Sequence, residues 1–351
     1  MTSSDSGHAG ALARLRDAFD DASRSPAQRR VYRLAGACVA VDSGDAATPP
    51  LTALEPLRVA DDAPAALVIR LFDGSAFSWP AGIALPNEGP GLTAVNAAGM
   101  QAYLQPDIGS ATLYDHHACR GYVWYRNASR LPYYEHAAPL RHLLQWWMLG
   151  RGGIVLHSAA VGGAGGGILI AGPSGAGKSS TALACLASGL QFVGDDYVAV
   201  DCRAPITAHA LYATAKVRRE SLGRHPAFTG HFSNLDRLDE KPMLFVHRIA
   251  PQRLAPQMPV RALVVPNVAR ASRTTFAPLA APEALRAIAP SSILQFPLAG
   301  ADALARIATL CRHVPTYRLH LSTDETEIVA AIEGFLAQPV VATPVESSRC
   351  A

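Results

Sequence analysis

The stretch from His157 to Val200 reads HSAAVGGAGGGILIAGPSGAGKSSTALACLASGLQFVGDDYVAV, and it decides the fold of this chain. Its centre, Gly172–Ser179, matches the pattern G-x-x-x-x-G-K-[ST] without a gap. The segment GGILIAG before the match is typical of a buried strand, and SSTALACLASG after it predicts a helix over Ser179–Ser188. Strand, glycine-rich loop and helix in this order predict a phosphate-binding P-loop rather than a chance glycine turn.

A P-loop binds nucleoside triphosphates because its backbone N–H groups turn inward on the phosphates at the positive end of a helix. We expect Lys178 to contact the β- and γ-phosphates and the Ser179 hydroxyl to hold Mg²⁺. The sequence therefore predicts ATP and Mg²⁺ as cofactors, although GTP would also satisfy the motif. The predicted nucleotide-binding residues of the loop are Gly172, Pro173, Ser174, Gly175, Ala176, Gly177, Lys178, Ser179 and Ser180.

Two adjacent carboxylates, Asp195 and Asp196, follow the apolar run LQFVG only 17 residues after Lys178. This spacing leaves room for one helix and one return strand, so we expect the pair to arrive beside the P-loop. One carboxylate can organise Mg²⁺ while the other accepts a proton from an attacking hydroxyl. A solvated acidic turn is the alternative interpretation.

His157 lies 21 residues before Lys178, in the predicted strand GIVLHSAAV. The pattern alone allows a packed core histidine as well as a site residue. The glycine run Gly162–Gly167 stands between two strand-like segments rather than before a helix. It therefore predicts a hairpin turn and a mixed sheet, not a dinucleotide-binding loop.

With these features together, the stretch resembles the catalytic domain of the HPr kinase/phosphorylase family, whose core is similar in fold to phosphoenolpyruvate carboxykinase. The resemblance rests on the strand at His157, the hairpin, GPSGAGKSS and the run that ends in paired aspartates, over about residues 150–201. It continues more loosely through Asp239–Pro251 and VPTYRLHL. These later pieces resemble shorter HPr-kinase-related proteins of bacterial biosynthetic clusters, some of which phosphorylate serine on ribosomal peptides such as lasso peptide precursors.

The resemblance implies that Asp195 is the general base for a serine hydroxyl and that Asp196 holds Mg²⁺ together with Ser179. It also implies that His157 interacts with the aspartates and that Lys241 is a further phosphate contact. Residues 218–238, RRESLGRHPAFTGHFSNLDRL, depart from the second glycine-rich signature of the regulatory enzymes. This departure speaks against HPr as the acceptor, against a reverse phosphorylase reaction and against the usual hexamer.

The predicted fold class is α/β, with a P-loop kinase core around a mixed β-sheet and an additional N-terminal β-rich domain. We expect an arm or amphipathic helix over residues 1–30, the β-rich domain over 31–130, the P-loop kinase domain over 131–338 and a disordered tail over 339–351. The β-rich domain would recognise the acceptor through a free strand edge, or else only complete the core.

Strands and helices outside the central stretch follow from apolar periodicity. The N-terminal strands are VYRLAGACVAV, AALVIRLF, GLTAVNA and RGYVWYR, and the later strands include AHALYATAKV, VRALVVP and TYRLHL. The predicted helices are PLRHLLQWWML, PEALRAIAP, ADALARIATLCRH and TDETEIVAAIEGFLA. Trp146 and Trp147 are interpreted as packing groups rather than base-stacking residues, and Asp115, His116 and His117 as a surface loop rather than a metal site.

Composition limits the function classes. The chain has 351 residues, of which 49% are apolar, and its formal net charge of +3 is too small to indicate nucleic-acid binding. The cluster of Arg218, Arg219 and Arg224 would support a nucleic-acid ATPase, but such clusters more often form solvated faces or acidic-peptide contacts. Six scattered cysteines without a CxxC pair predict neither zinc nor disulfides, and indicate a reduced, cytoplasmic compartment.

No secretory signal and no membrane partner are expected, because the first 30 residues lack an apolar core and no apolar run is long enough to cross a bilayer. The leading hypothesis is an ATP- and Mg²⁺-dependent kinase acting on a serine of a peptide or protein acceptor. The alternatives are a kinase for a small hydroxylated molecule and a non-catalytic nucleotide-binding regulator, for which paired aspartates would be superfluous. No pattern specifies the acceptor or the oligomeric state.

Overall fold

The structure is a computed structural model that describes residues 3–22, 28–44, 51–75, 77–83 and 94–339. The predicted disordered tail lies outside the described residues from residue 340 onward. The described part of the chain is a mixed α/β protein with two large mixed sheets, so the predicted α/β class with a mixed sheet is confirmed. Within these residues no helix is both long enough and apolar enough to cross a membrane.

The N-terminal part is a helix, α1 (Ser3–Ala22), followed by an eight-stranded sheet in the order β3-β1-β2-β4-β8-β7-β6-β5. The strands are β1 (Gln28–Leu34), β2 (Ala37–Ser43), β3 (Arg58–Val59), β4 (Leu67–Asp73), β5 (Ala94–Ala97), β6 (Met100–Gln105), β7 (Ser110–Asp115) and β8 (Arg120–Tyr125). The single predicted strand VYRLAGACVAV is wrong. It is the hairpin β1–β2, because Ala35 and Gly36 turn the chain with φ values of 46° and 75°.

Helix α1 covers one face of this sheet with an apolar stripe at helical spacing. Leu12, Leu15 and Phe19 are fully buried there, and the Phe19 ring stacks on Tyr122 with 5.4 Å between ring centroids. At the end of the same face, the Asp20 carboxylate accepts a hydrogen bond of 2.9 Å from the Tyr122 hydroxyl. The amphipathic helix predicted within residues 1–30 is therefore present over Ser3–Ala22.

Two helices join this sheet to the rest of the chain: α2 (Tyr133–Ala137) and α3 (Arg141–Gly150). Helix α3 begins later than the predicted PLRHLLQWWML because Leu140 has a left-handed φ of 63°. Trp146 and Trp147 are 1% and 2% exposed, in agreement with their interpretation as packing groups. They belong to one continuous apolar core that contains residues of the N-terminal sheet as well as residues of the second sheet.

The second sheet has nine strands, and a third, smaller sheet has three. The strands of the second half of the chain are β9 (Gly153–Leu156), β10 (Ser158–Gly163), β11 (Gly166–Ala171), β12 (Gln191–Gly194), β13 (Val198–Asp201), β14 (Thr207–His209), β15 (Thr214–Lys216), β16 (Phe232–Ser233), β17 (Met243–Phe245), β18 (Gln257–Ala271), β19 (Thr275–Pro278) and β20 (Thr316–Ser322). The nine-stranded sheet runs β12-β10-β11-β18-β14-β13-β9, with β20 pairing both β18 and β19, and the small sheet runs β15-β17-β16.

Helices flank these sheets: α4 (Lys178–Ser188), α5 (Ala281–Ile293), α6 (Gly300–His313) and α7 (Glu325–Ala337). They agree with the helices predicted for the same segments. Short 3-10 helices complete the described structure at Leu51–Leu57, Pro106–Ile108, Ala128–Arg130, Arg219–Arg224, Pro226–Phe228, Val246–Arg248 and Pro251–Arg253.

The hairpin predicted from the glycine run is present, because β10 and β11 pair antiparallel from Ser158↔Ala171 to Gly163↔Gly166. At Gly162 the two strands of this hairpin leave no room for a side chain, since a Cβ atom there would lie 2.6 Å from the carbonyl oxygen of Gly166. Parallel pairing of β11 with β18 makes the sheet mixed.

Two predicted strands are wrong in the same way. GIVLHSAAV divides at His157 into β9, which pairs with β13, and β10, which pairs with β11 and β12. AHALYATAKV divides into β14 and β15, which lie in different sheets. Between them the N–H groups of Ala210 and Ala213 donate to the carbonyls of Pro256 and Ala53, and these bonds lead the chain away from β14. Both divisions bring polar side chains to the site described below.

A buried ion pair fixes the corner between α2 and α3. Arg141 Nη1 donates to Glu135 Oε1 at 2.5 Å, and the two side chains are only 9% and 5% exposed. Removing one partner leaves an uncompensated buried charge, so we expect Glu135→Ala to lower the free energy of unfolding by about 3–5 kcal/mol. Urea-induced unfolding would measure it. The control Glu333→Ala, an exposed helical glutamate, should change that free energy by less than about 0.5 kcal/mol, and equal effects of the two variants would contradict the prediction.

Candidate functional site

The glycine-rich loop lies between the end of β11 at Ala171 and the start of α4 at Lys178. Gly175 and Gly177 have φ values of 84° and 102°, a conformation that side chains with a Cβ atom avoid. A Cβ atom on Gly177 would also lie 2.7 Å from Leu321 Cδ1. The loop thus has the strand, turn and helix order of a P-loop, and its close packing requires glycine.

Lys178 is held inside this loop. Its Nζ donates to the carbonyl oxygens of Gly172 and Pro173 at 2.9 and 3.1 Å, and the residue is only 6% exposed. Burial lowers the pKa of the Lys178 ammonium, against the opposing effect of the charges on Asp195 and Asp196. The loop geometry therefore places this cation at the first residues of the cradle.

A cavity of about 210 Å³, which we call the phosphate cavity, is in front of the loop. Its basic lining residues are Lys178, Lys216, Arg218, Arg224 and Lys241. Two acidic residues also line it, Asp196 and Glu220. The excess of positive charge in a confined space suits a polyanionic ligand.

Lysine use in this chain singles out the same cavity. The sequence has 31 basic residues, but its only lysines are Lys178, Lys216 and Lys241. All three line the phosphate cavity. Because the chain uses arginine at every other basic position, these lysines are not interchangeable surface charges. A compact ammonium group is suited to phosphate as a point charge.

The paired aspartates occupy different environments. Asp195 is 1% exposed, and its Oδ2 accepts a hydrogen bond of 3.2 Å from the backbone N–H of Lys216. Its Oδ1 is buried and has no hydrogen-bond partner among the described residues. Asp196 lines the phosphate cavity with a left-handed φ of 69°. The interpretation of the pair as a solvated acidic turn is wrong for Asp195, because that carboxyl group is buried.

Asp196 is held by two basic side chains. His157 Nε2 lies 3.2 Å from Asp196 Oδ1, and the Lys216 ammonium forms an ion pair with Oδ2. Gln295 donates from Nε2 to His157 Nδ1 at 2.9 Å, while its Oε1 accepts from the Tyr197 hydroxyl at 2.5 Å. These bonds assign the imidazole proton to Nε2, from which it is donated to Asp196. His157 is buried, yet it belongs to the site rather than to the apolar core.

Opposite pKa shifts follow from these environments. Burial and the nearby Asp196 charge raise the pKa of Asp195 to about 6. Burial would also raise the pKa of Asp196, but the Lys216 ammonium and the His157 imidazole outweigh it and hold that pKa well below its usual range. One carboxyl group can therefore exchange a proton near neutral pH, whereas the other stays ionised.

The structure brings together His157, Lys178, Asp196 and Lys241 at the phosphate cavity, whereas Asp195 is buried and does not line it. Ser174, Gly175, Gly177, Ser179 and Ser180 line the same cavity. Gly172, Pro173 and Ala176 complete the loop, and the carbonyls of the first two hold Lys178. The sequence interpretation missed Lys216, Tyr197 and Gln295. The rarity of lysine was a signal for Lys216, whereas nothing in the sequence pattern marks Gln295.

The remaining candidates from the sequence are the cluster at Asp115 and the arginine cluster at residues 218–224. Asp115 is buried at the end of β7, where its Oδ1 accepts from the N–H groups of His117 and Ala118, so it closes a turn. Among the described residues no group of three or more His, Cys, Asp or Glu could hold a metal ion. Arg219 donates to the carbonyl of Leu235 at 3.1 Å. Arg218 and Arg224 line the phosphate cavity, and they pair with Glu220 and Glu325 at 3.6 and 3.8 Å.

Comparison with known proteins finds a distant structural likeness and no match by sequence. No protein-family model matches the chain, and no curated protein matches it. Among solved structures, the Hpr(Ser) kinase/phosphatase from Coxiella burnetii is similar at 12% sequence identity, over 52% of this chain and 95% of that chain. The TM-score is 0.31. At this value the likeness carries no argument about activity, and the family resemblance of the sequence stays a prediction.

The raised pKa of Asp195 predicts a pH-dependent stability. Between the ordinary carboxyl pKa of 3.8 and about 6, the folded chain holds a proton that the unfolded chain has released, so this group costs stability as the pH rises. Asp195→Asn should therefore raise the free energy of unfolding of the metal-free protein by about 2–3 kcal/mol at pH 8 and by almost nothing at pH 4. Urea-induced unfolding at both pH values measures this difference.

The matched control is Asp201→Asn, on the neighbouring strand β13. The hydrogen bond from Arg203 lowers the pKa of Asp201, so this carboxylate contributes stability above pH 4 and loses it as the pH falls. The control should thus lower stability at pH 8. A gain in stability for both variants at pH 8 would show that the Asp195 effect is not caused by its buried charge.

Proposed function

We propose that this chain is an ATP- and Mg²⁺-dependent kinase that transfers the γ-phosphate to a serine hydroxyl of a peptide or protein, with ribosomal natural-product precursors among the candidate acceptors. One observation carries the proposal: the glycine-rich loop with Lys178 lies beside a pair of aspartates. One of them, Asp196, is hydrogen-bonded to His157 and forms an ion pair with Lys216. Phosphoryl transfer requires phosphate positioning, charge neutralisation and a proton acceptor, and these groups supply all three.

The nucleotide phosphates are bound by the loop Gly172–Ser180 and by the lysines. Backbone N–H groups of the loop and the positive end of α4 receive the phosphate oxygens. Lys178 contacts the β- and γ-phosphates, and Lys241 lies on the same cavity wall as a further contact. Lys216 neutralises charge on the transferred group. The concentration of all lysines at this cavity supports these assignments.

The site also fits Mg²⁺. This ion is bound in nucleotide sites by one or two carboxylates, a hydroxyl and substrate phosphates rather than by a cage of protein ligands. The Ser179 hydroxyl and the ionised Asp196 carboxylate would hold it, and the unpaired buried Oδ1 of Asp195 supplies further negative charge. When bound, Mg²⁺ neutralises phosphate charge.

Asp195 is the proposed base. Its pKa of about 6 suits proton acceptance near neutral pH better than that of Asp196, which lies well below its usual range. The bond between the serine Oγ and the γ-phosphorus forms while the bond from that phosphorus to the β–γ bridging oxygen breaks. The hydroxyl proton passes to Asp195, and ADP leaves with the bridging oxygen. His157 fixes the orientation of Asp196 through its Nε2–H.

The cradle assignment is tested by Lys178→Ala. We expect this variant to stay folded and to lose transfer by at least about 10²-fold, because it removes the cation that offsets phosphate charge. The assay measures ³²P transfer from [γ-³²P]ATP to a mixed serine-peptide library, with an alanine-for-serine library as control and circular dichroism for the fold. ATP hydrolysis or binding by the wild type without label on any peptide or small hydroxylated compound would overturn the kinase proposal.

The division of labour between the aspartates makes a second prediction. Asp195→Asn should keep nucleotide affinity and lower transfer by about 10²–10⁴-fold, the range for a positioned base. Asp196→Asn should instead raise the Mg²⁺ concentration needed for half-maximal transfer. Nucleotide binding is read from ¹³C-methylated lysine NMR, because all three lysines line the phosphate cavity. Exchanged phenotypes would reverse the two roles while leaving the site in place.

A further inference from the structure

A second cavity adjoins the site on the opposite side of the glycine-rich loop. It has a volume of about 810 Å³, and we call it the α5 cavity because α5 forms one wall. Residues of β18 and β20 form the facing wall, and Pro173, Ser174 and His157 form the end that borders the phosphate cavity. His157 and the loop are the boundary that the two cavities share.

The direction of a nucleotide along the loop identifies what each cavity holds. Lys178, which reaches the β- and γ-phosphates, is bonded to the carbonyls of Gly172 and Pro173. The γ-phosphate therefore lies at the first residues of the loop. Thr181 and Ile328 line only the phosphate cavity, beyond the other end of the loop, where the nucleoside extends. An acceptor that attacks the γ-phosphate must arrive from the side of Pro173 and His157, which is the α5 cavity.

Hydrogen bonds join the wall of the α5 cavity to the glycine-rich loop and to His157. Ser291 Oγ lies 3.1 Å from the carbonyl oxygen of Gly172 and 3.0 Å from that of Ile288, and its one proton is shared between these two acceptors. Gln295 donates to His157 Nδ1 at 2.9 Å. A ligand in this cavity is thus positioned against the same frame that holds the loop and the histidine. Such coupling is what an acceptor subsite needs, because small displacements of the reacting hydroxyl reduce the rate strongly.

Charge selects the class of acceptor. Arg286 on α5 and Arg318 on β20 both line the α5 cavity. Across the described ranges 3–22, 28–44, 51–75, 77–83 and 94–339, neither guanidinium has an ion pair or a hydrogen bond, and no Asp or Glu lines this cavity. Two unpaired guanidinium groups on facing walls match carboxylates, which they can bind through two parallel hydrogen bonds.

Apolar side chains complete this surface. Leu294 is 85% exposed and Val268 is 49% exposed, and both line the α5 cavity. Exposed apolar groups beside unpaired arginines are typical of peptide contacts rather than of a site for a small polar metabolite. We propose that the α5 cavity binds the acceptor peptide and selects serines that are flanked by aspartate or glutamate. This inference rests on the proposed kinase function.

The test uses three fluorescein-labelled, C-terminally amidated peptides, each with one serine in a glycine–alanine background and flanked by aspartates, asparagines or lysines. Fluorescence anisotropy measures their binding to the full chain with ADP and Mg²⁺ present, and [γ-³²P]ATP measures transfer. We expect the aspartate peptide to bind about tenfold more tightly than the asparagine peptide, and the lysine peptide to bind more weakly than both.

Arg286→Gln and Arg318→Gln should each weaken binding of the aspartate peptide by about three- to tenfold. The double variant should bind the aspartate and asparagine peptides equally, with unchanged ADP affinity. The control is Arg312→Gln, an exposed arginine of α6 whose side chain, within the part of the chain that the structure describes, bonds only Thr309 on the same helix, and it should change nothing. Equal binding of all three peptides by the wild type, or no effect of the double variant, would overturn the inference.

The two proposals fail in different ways. Arginine-dependent binding of the aspartate peptide without ³²P transfer would overturn the kinase function and leave the acidic-peptide site in place. Equal transfer to all three peptides, unaffected by the arginine variants, would support the kinase function and overturn the acceptor site. A loss of ADP affinity in the arginine variants would also contradict the inference, because it would place these residues at the nucleotide.

Discussion

The carboxylate of Asp196 is the interaction on which the site depends, because it joins parts of the chain that are far apart in sequence. It binds the imidazole of His157 from the β9–β10 junction and the ammonium of Lys216 from the end of β15. Its left-handed backbone costs about 1 kcal/mol. The turn is retained because Tyr197 N–H donates to the Asp195 carbonyl and Ser158 N–H donates to the Asp196 carbonyl. Strain of this kind is often found where a side chain must be aimed.

This turn gives two consecutive aspartates different chemistry. Burial leaves Asp195 with a raised pKa, whereas the Lys216 ammonium and the hydrogen bond from His157 keep Asp196 ionised at the cavity wall. A pair with separated pKa values can divide proton transfer from charge neutralisation. The arrangement costs stability, since a buried carboxyl group with an unpaired oxygen is unfavourable. Proteins accept such costs at sites where function requires them.

The N-terminal sheet shares one apolar core with the elements that carry the site. Tyr32 and Val39 from this sheet, Trp146 and Trp147 from α3, and Val155 from β9 belong to one apolar cluster. This continuity favours a core-completing role for residues 31–130. Acceptor recognition by a free edge of this sheet remains a prediction. The acidic-peptide preference that we infer for the α5 cavity does not require it.

The sequence by itself determined the glycine-rich loop between β11 and α4, because the strand, the glycines, the lysine and the helix follow one another directly in the chain. It also determined the hairpin at Gly162–Gly167 and that the aspartates come near Lys178, since one helix and one strand leave few alternatives. The scarcity of lysine could have pointed to Lys216 as well. These features depend on residues that are neighbours in the chain.

Only the tertiary structure decided how the site is completed. His157 stands where one predicted strand divides, and Lys216 ends the second of the two strands into which another divides. No local pattern marks those breaks, because they are caused by pairing with strands and loops distant in sequence. Gln295 meets His157 across 138 residues of chain. The different burial of Asp195 and Asp196 is likewise set by long-range packing, since the two residues are adjacent and chemically identical. The sequence specifies which groups are available, and the packing of distant elements decides which of them meet.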